Sequence, residues 1–173
     1  MAAPLTSSLA QRLIFAGRCA VSGALSYLLA AGLGLPHPVW ASMSSLIVSQ
    51  ESFEATRLSI VGRIIGTVGG AEIAVLVSKW AARHGIGTAA QIAASVGLCA
   101  LFAKGHPSIR ACLWTCPVVL LTVLPGSSIE HAASMRGCEV IVGALTGGLI
   151  HWAVHWMAAR CRFPSMRKSR WSA

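Results

Sequence analysis

Aspartate is absent from the 173-residue sequence and glutamate occurs only 5 times, against 14 lysines and arginines, which leaves a net charge of +9. Without aspartate no Ser-His-Asp triad can be assembled, and no glycine loop followed by Lys-Ser or Lys-Thr is present to cradle a nucleotide phosphate. Enzyme chemistry of the soluble kind is therefore not expected. Charge is scarce altogether: 11% of residues are charged, 55% are hydrophobic, and the mean hydropathy is +0.68. Those values fall outside the range of a soluble domain and imply an all-α integral membrane protein. A length of 173 residues leaves room for several spans of about 20 residues each and for no sizeable extramembrane domain. The start, MAAPLTSSLAQR, lacks the early basic region of a signal peptide, and the apolar run after it is longer than a signal core, so the first span should be retained. The 6 cysteines lack paired loop spacing, which argues against a disulfide framework. Cys112 and Cys116 share a helix face, and two small apolar residues on a packed helix explain that better than a metal site.

What is there is a succession of apolar windows, at 13–35, 38–50, 58–80, 86–103, 109–124 and 135–157, which predict six transmembrane helices. The breaks are turn signals: Gly34-Leu-Pro-His-Pro38, the charged stretch 51–57, Arg83-His-Gly85, Lys104-Gly-His-Pro107 and Pro125-Gly-Ser-Ser128. The chain divides into a cytoplasmic N-terminus (1–12), a six-helix transmembrane domain (13–157) and a basic cytoplasmic tail (158–173). Basic residues collect at the N-terminus, the second and fourth loops and the tail, while the other side has only Lys79, Arg83 and, at its margin, Arg136. Both termini are thus expected in the cytoplasm, with the tail as a topology anchor; binding of anionic lipid or RNA by the tail is the sharper alternative. The positive charge is explained by topology and lipid headgroups, so no nucleic-acid partner is expected.

The second segment is short and serine-rich, and the fifth carries Pro117 in its interior, where a kink is expected; they follow His37-Pro38 and His106-Pro107 and precede helices with glycine-threonine clusters, Gly66–Gly70 and Gly143–Gly148. Three helices per unit is the pattern of two inverted repeats with a site between them. Arg18, Arg63, Glu72 and Glu139 fall within the apolar windows, where an ionised group costs about 2.5–3.5 kcal/mol on insertion scales and should face protein or water. Arg18, Arg63 and Glu139 lie near enough to the predicted helix ends to snorkel; Glu72 does not. Gly62, Gly66 and Gly70, with Gly143 and Gly147, repeat every four residues, which suits close helix packing more than ligand contact. His151 and His155 share one face of the sixth helix beside Trp152 and Trp156, as an interfacial belt or, on the sharper view, half a metal or haem site. No metal or other cofactor is expected.

The run Gly34-Leu-Pro-His-Pro-Val-Trp-Ala-Ser-Met-Ser-Ser-Leu-Ile-Val-Ser-Gln50, then Glu54-Ala-Thr-Arg57 and Gly62-Arg-Ile-Ile-Gly-Thr-Val-Gly-Gly70, resembles the signature of the fusaric acid resistance and aromatic acid exporter superfamily. Arg136-Gly-Cys-Glu139 with Gly143 is similar to that superfamily's sixth-helix pattern, so the resemblance extends over the whole six-helix portion, from about Arg12 to Met157. The resemblance implies a bacterial inner-membrane protein that exports weak aromatic or other organic acids. It also implies a six-helix unit that occurs twice or as a homodimer or higher homo-oligomer. Many such proteins carry a cytoplasmic domain, whereas only a short basic tail follows Met157 here.

Within that frame the substrate pathway is expected along the polar stripe Ser42, Ser44, Ser45, Ser49 and Gln50, with Arg63 as the cation for a carboxylate, helped by Arg18 or Arg110. Trp40 is placed to stack an aromatic ring at the opposite mouth, and Glu72 or Glu139 to exchange a proton. The competing view is that the serines bond back to their own helix carbonyls and fill a packing face. The expected partners are a small organic-acid anion, protons, membrane lipid and a second copy of the chain. An organic-anion channel and a non-transporting accessory or scaffold subunit are the alternatives.

Overall fold

The computed structural model describes residues 3–161, so the basic tail predicted at 158–173 lies largely outside the described residues. Six helices follow one another: α1 (Ala3–Gly32), α2 (Val39–Val48), α3 (Phe53–His84), α4 (Thr88–Ala103), α5 (Ala111–Leu121) and α6 (Ile129–Cys161), with one 3-10 turn, Pro107–Ile109, ahead of α5. Among the described residues there is no strand. Among the described residues three stretches are long and apolar enough to cross a membrane, Arg12–Gly32, Phe53–His84 and Ile129–Met157, while α2, α4 and α5 are shorter apolar helices. At about 1.5 Å per residue, α2 and α5 rise only roughly 15 Å, half the hydrocarbon thickness of a bilayer.

Each apolar window contains a helix, but α3 and α6 begin earlier than hydropathy predicts because caps set their starts. Ser52 Oγ accepts from the Ala55 amide at 3.2 Å, and Ser128 Oγ accepts from the His131 amide at 3.2 Å. The charged first turns that look like loop in a hydropathy window are therefore helical. Arg63, expected near a helix end, therefore sits about three turns inside α3, and Arg136, expected at the margin of a loop, sits about two turns inside α6. Neither is at a helix end. At its other end α3 stops at Gly85, whose φ of 63° is a left-handed conformation suited to glycine and whose amide bonds to the Ala81 carbonyl.

The two long helices α3 and α6 meet at the centre. α2 packs on α6 and α5 packs on α3; α1 lies against α2 and α6, and α4 against α5 and α3. Absent side chains permit these contacts: a Cβ at Gly70 would sit 2.8 Å from the Cys112 carbonyl oxygen, and one at Gly143 would sit 2.8 Å from Ser44 Cβ. A core of Ala71, Ala74, Cys99, Cys112, Cys116 and Val119 joins α3, α4 and α5, with the Cys99 and Cys116 sulfurs 3.3 Å apart as reduced thiols. The outside is the reverse of a soluble protein. Leu13, Leu28, Leu76, Leu101 and Leu149 are exposed, as lipid-facing side chains should be.

Candidate functional site

Alternating helix directions define two ends of the bundle. Phe53, at the start of α3, packs edge-on to His151 and stacks on His155 at 5.6 Å, and Arg18 Nη2 donates to the Gln50 carbonyl at 2.5 Å. The end where α2 gives way to α3 therefore also holds the later part of α6. The opposite end is tied by Lys79 and Glu130, 2.6 Å apart.

At the α2–α3 end a vestibule of about 390 Å³ is lined by Gln50, Ser59, Arg63, Ser108, Arg110 and Trp114. Arg63 forms its floor. It is 3% exposed, its Nε donates to Ser44 Oγ at 3.2 Å, and its guanidinium carbon lies 5.3 Å from the centroid of Trp114. Its Nη1 is buried without a hydrogen-bond partner. Ser44 in turn donates to the Val140 carbonyl at 3.3 Å, so α3, α2 and α6 are bridged at the depth of Arg63.

Beyond that bridge, toward the other end, lies a tight cleft of about 10 Å³ bounded by His37, Trp40, Thr122, Arg136 and Glu139. Glu139, 1% exposed, accepts from the His37 amide at 2.9 Å and stands 3.8 Å from Arg136 Nη1. Arg136, 2% exposed, stacks its guanidinium carbon 4.2 Å from the Trp40 centroid, yet none of its three side-chain nitrogens has a hydrogen-bond partner. Chemically the two pockets are alike: a buried guanidinium beside an indole ring, with side-chain N–H groups that have no hydrogen-bond partner.

The predicted residues thus fall into separate places. Arg63, Gln50 and Arg110 share the vestibule, and Trp40 and Glu139 share the closed cleft. Ser42 faces Gly23 of α1, while the hydroxyls of Ser45 and Ser49 donate to the carbonyls of Ser42 and Ser45, each at 2.8 Å. Arg18 is beside the vestibule, bonded to Gln50. Glu72 is exposed on the outer face of α3, at a different cavity of about 380 Å³ with Ile65, Gly69, Cys99 and Phe102. His151 Nδ1 is 2.6 Å from Thr56 Oγ1 inside the bundle, and among the described residues no group of three or more metal-ligating side chains forms. Arg136, Trp114 and His37 were not anticipated as site residues. Arg136 looked like the edge of a loop, and no spacing links Trp114 to Arg63, which lies on a different helix.

The family described as fusaric acid resistance protein-like matches residues 24–156. The uncharacterized protein YhfK of Escherichia coli (strain K12) is 44% identical over 59 residues, which are 34% of this chain and 8% of that protein. The chain thus matches only a small part of the length of that relative. No solved structure matches it. With apolar helices long enough to span a bilayer and a match extending from α1 to α6, the chain is a membrane protein that belongs to the fusaric acid resistance protein-like family.

Proposed function

We propose that the protein is a proton-coupled secondary transporter that exports weak organic acids, aromatic ones foremost, and that Arg63 receives the substrate carboxylate. The observation that carries this is a guanidinium almost wholly buried, with Nη1 unpartnered, at the floor of a vestibule of about 390 Å³ beside Trp114. That volume lies in the range of small-molecule sites, about 300–1,000 Å³. A buried cation without an anion is costly, and a carboxylate offers the charge-assisted bonds that offset the cost.

A carrier fits better than an open channel, because the Arg63–Ser44–Val140 bridge closes the floor of the vestibule. The packing of α2 on α6, mirrored by α5 on α3, supports two inverted three-helix repeats that rock about this bridge. Glu139, next to Arg136 in the closed cleft, is the carboxylate best placed to exchange a proton. Arg12, Arg18, Arg57, Lys104 and Arg110 cluster toward the vestibule end, which supports a cytoplasmic vestibule and cytoplasmic termini in a bacterial inner membrane. Glu72, exposed on the long α3, supports a homo-oligomer in which a second copy covers it.

A second reading, a non-transporting accessory subunit, draws on the much greater length of the YhfK relative. Flux of labelled benzoate and pyridine carboxylates into proteoliposomes under an imposed proton gradient separates the two: accumulation above empty liposomes supports transport, and its absence for every acid supports the accessory role.

A further inference from the structure

We infer that the pathway holds two substrate stations in series, the vestibule pair Arg63 and Trp114 and a second pair, Arg136 and Trp40, in the closed cleft. Both stations take the same ligand class, a planar aromatic monocarboxylate. The inference deepens the transport reading and rests on it for the order of events, though not for binding itself.

Both pairs join a long central helix to the short helix packed on it: α3 to α5 for Arg63 and Trp114, α6 to α2 for Arg136 and Trp40. Each lines its own cavity, and the cavities lie toward opposite ends of the bundle. The ion pair with Glu139 leaves the hydrogen-bonding capacity of Arg136 unused. Its guanidinium has five N–H donors and uses none, although the side chain is 2% exposed. Its nearest carboxylate, Glu139, is 3.8 Å away and is already engaged at its other oxygen by the His37 amide. The Trp40 ring covers the guanidinium carbon at 4.2 Å and none of the side-chain nitrogens is spent on a hydrogen bond, so they remain for a carboxylate, which an arginine binds with two parallel hydrogen bonds. Pro36, Leu124 and Met135 in the same cleft supply apolar surface for a ring.

The two stations differ in being open and closed. A cleft of about 10 Å³ holds no more than about one water, whereas the vestibule admits a small acid. Ser44 lies between them, accepting from Arg63 and donating to the Val140 carbonyl one turn beyond Arg136 on α6.

The test is the half-saturation concentration of benzoate for flux, measured from each membrane face in proteoliposomes of known orientation. Trp40→Leu is expected to raise it about threefold to tenfold from the cleft side and to leave the vestibule side within about twofold, with Trp114→Leu showing the reverse. Trp40→Phe, which keeps an aromatic face, should restore most of the loss and so separates the effect from misfolding. Equal shifts on both faces, or none from Trp40→Leu, would overturn the second station. Equilibrium binding of labelled benzoate to the purified protein distinguishes this from the transport reading. Binding weakened severalfold by both Arg63→Lys and Arg136→Lys, with no flux through the wild-type protein, keeps the two stations and contradicts transport. Flux and binding indifferent to Arg136→Lys keep transport and contradict the second station.

Discussion

Arg136 and Glu139 face each other three residues apart on α6, with 3.8 Å between Nη1 and Oε2 and almost no exposure of either side chain. Removing one member of such a pair strands a buried charge, which typically costs about 3–5 kcal/mol, while replacing both with apolar residues often costs little. Glu139→Ala should therefore lower the stability of the detergent-solubilised protein by about 3 kcal/mol. The double change Arg136→Met with Glu139→Leu should recover most of that loss while abolishing substrate binding in the cleft. Thermal unfolding of these two variants beside the wild type checks the first statement, and benzoate binding the second.

Gly143 lies where α6 meets α2. A Cβ there would run into the Ala41 carbonyl oxygen and approach Ser44 Cβ to 2.8 Å, whereas one at Gly69 meets nothing within 4 Å. Gly143→Ala should then destabilise by about 1–3 kcal/mol through overpacking, and Gly69→Ala should be neutral or stabilising by up to about 1 kcal/mol. Unfolding midpoints of the two variants, compared in the same detergent, decide the matter; equal effects would mean that α2 does not pack on α6 as described.

The two intramembrane glutamates are predicted to behave differently. Glu139 shares a cleft with Arg136, while Glu72 lies on the outer face of α3, apart from both arginines. Glu139→Gln retains the acceptor for the His37 amide but cannot titrate, so it should remove the response of flux to an imposed proton gradient. Glu72→Gln should preserve that response and instead alter the oligomeric state seen by light scattering. Loss of proton dependence in the Glu72 variant alone would transfer the coupling role to Glu72.

Hydropathy made the six helices legible, since each apolar window is interrupted by glycine, proline or charge and each contains a helix. It misplaced the starts of α3 and α6, because single hydroxyls at Ser52 and Ser128 extend those helices into charged sequence. That error leaves Arg136 at the very margin of the last apolar window, although it sits about two turns inside α6. The serine stripe on α2 was visible as a pattern but its use was not. Ser45 and Ser49 bond back to α2, and Ser44 alone of the stripe bridges to both α3 and α6. Helix rotation decides that outcome, and rotation is set by packing of α2 on Gly143 and Gly147, which composition does not encode. The pairing of each arginine with a tryptophan from a different helix was invisible for the same reason.

Binding of the substrate carboxylate by Arg63 is measured by uptake of labelled benzoate into inside-out vesicles under a proton gradient. Wild type, Arg63→Ala and Arg63→Lys are compared at equal protein levels. Accumulation in wild type, abolished in Arg63→Ala and reduced roughly tenfold or more in Arg63→Lys, where the bidentate fork is lost, is the predicted result. Uptake by the Arg63→Ala protein equal to that of wild type would contradict it.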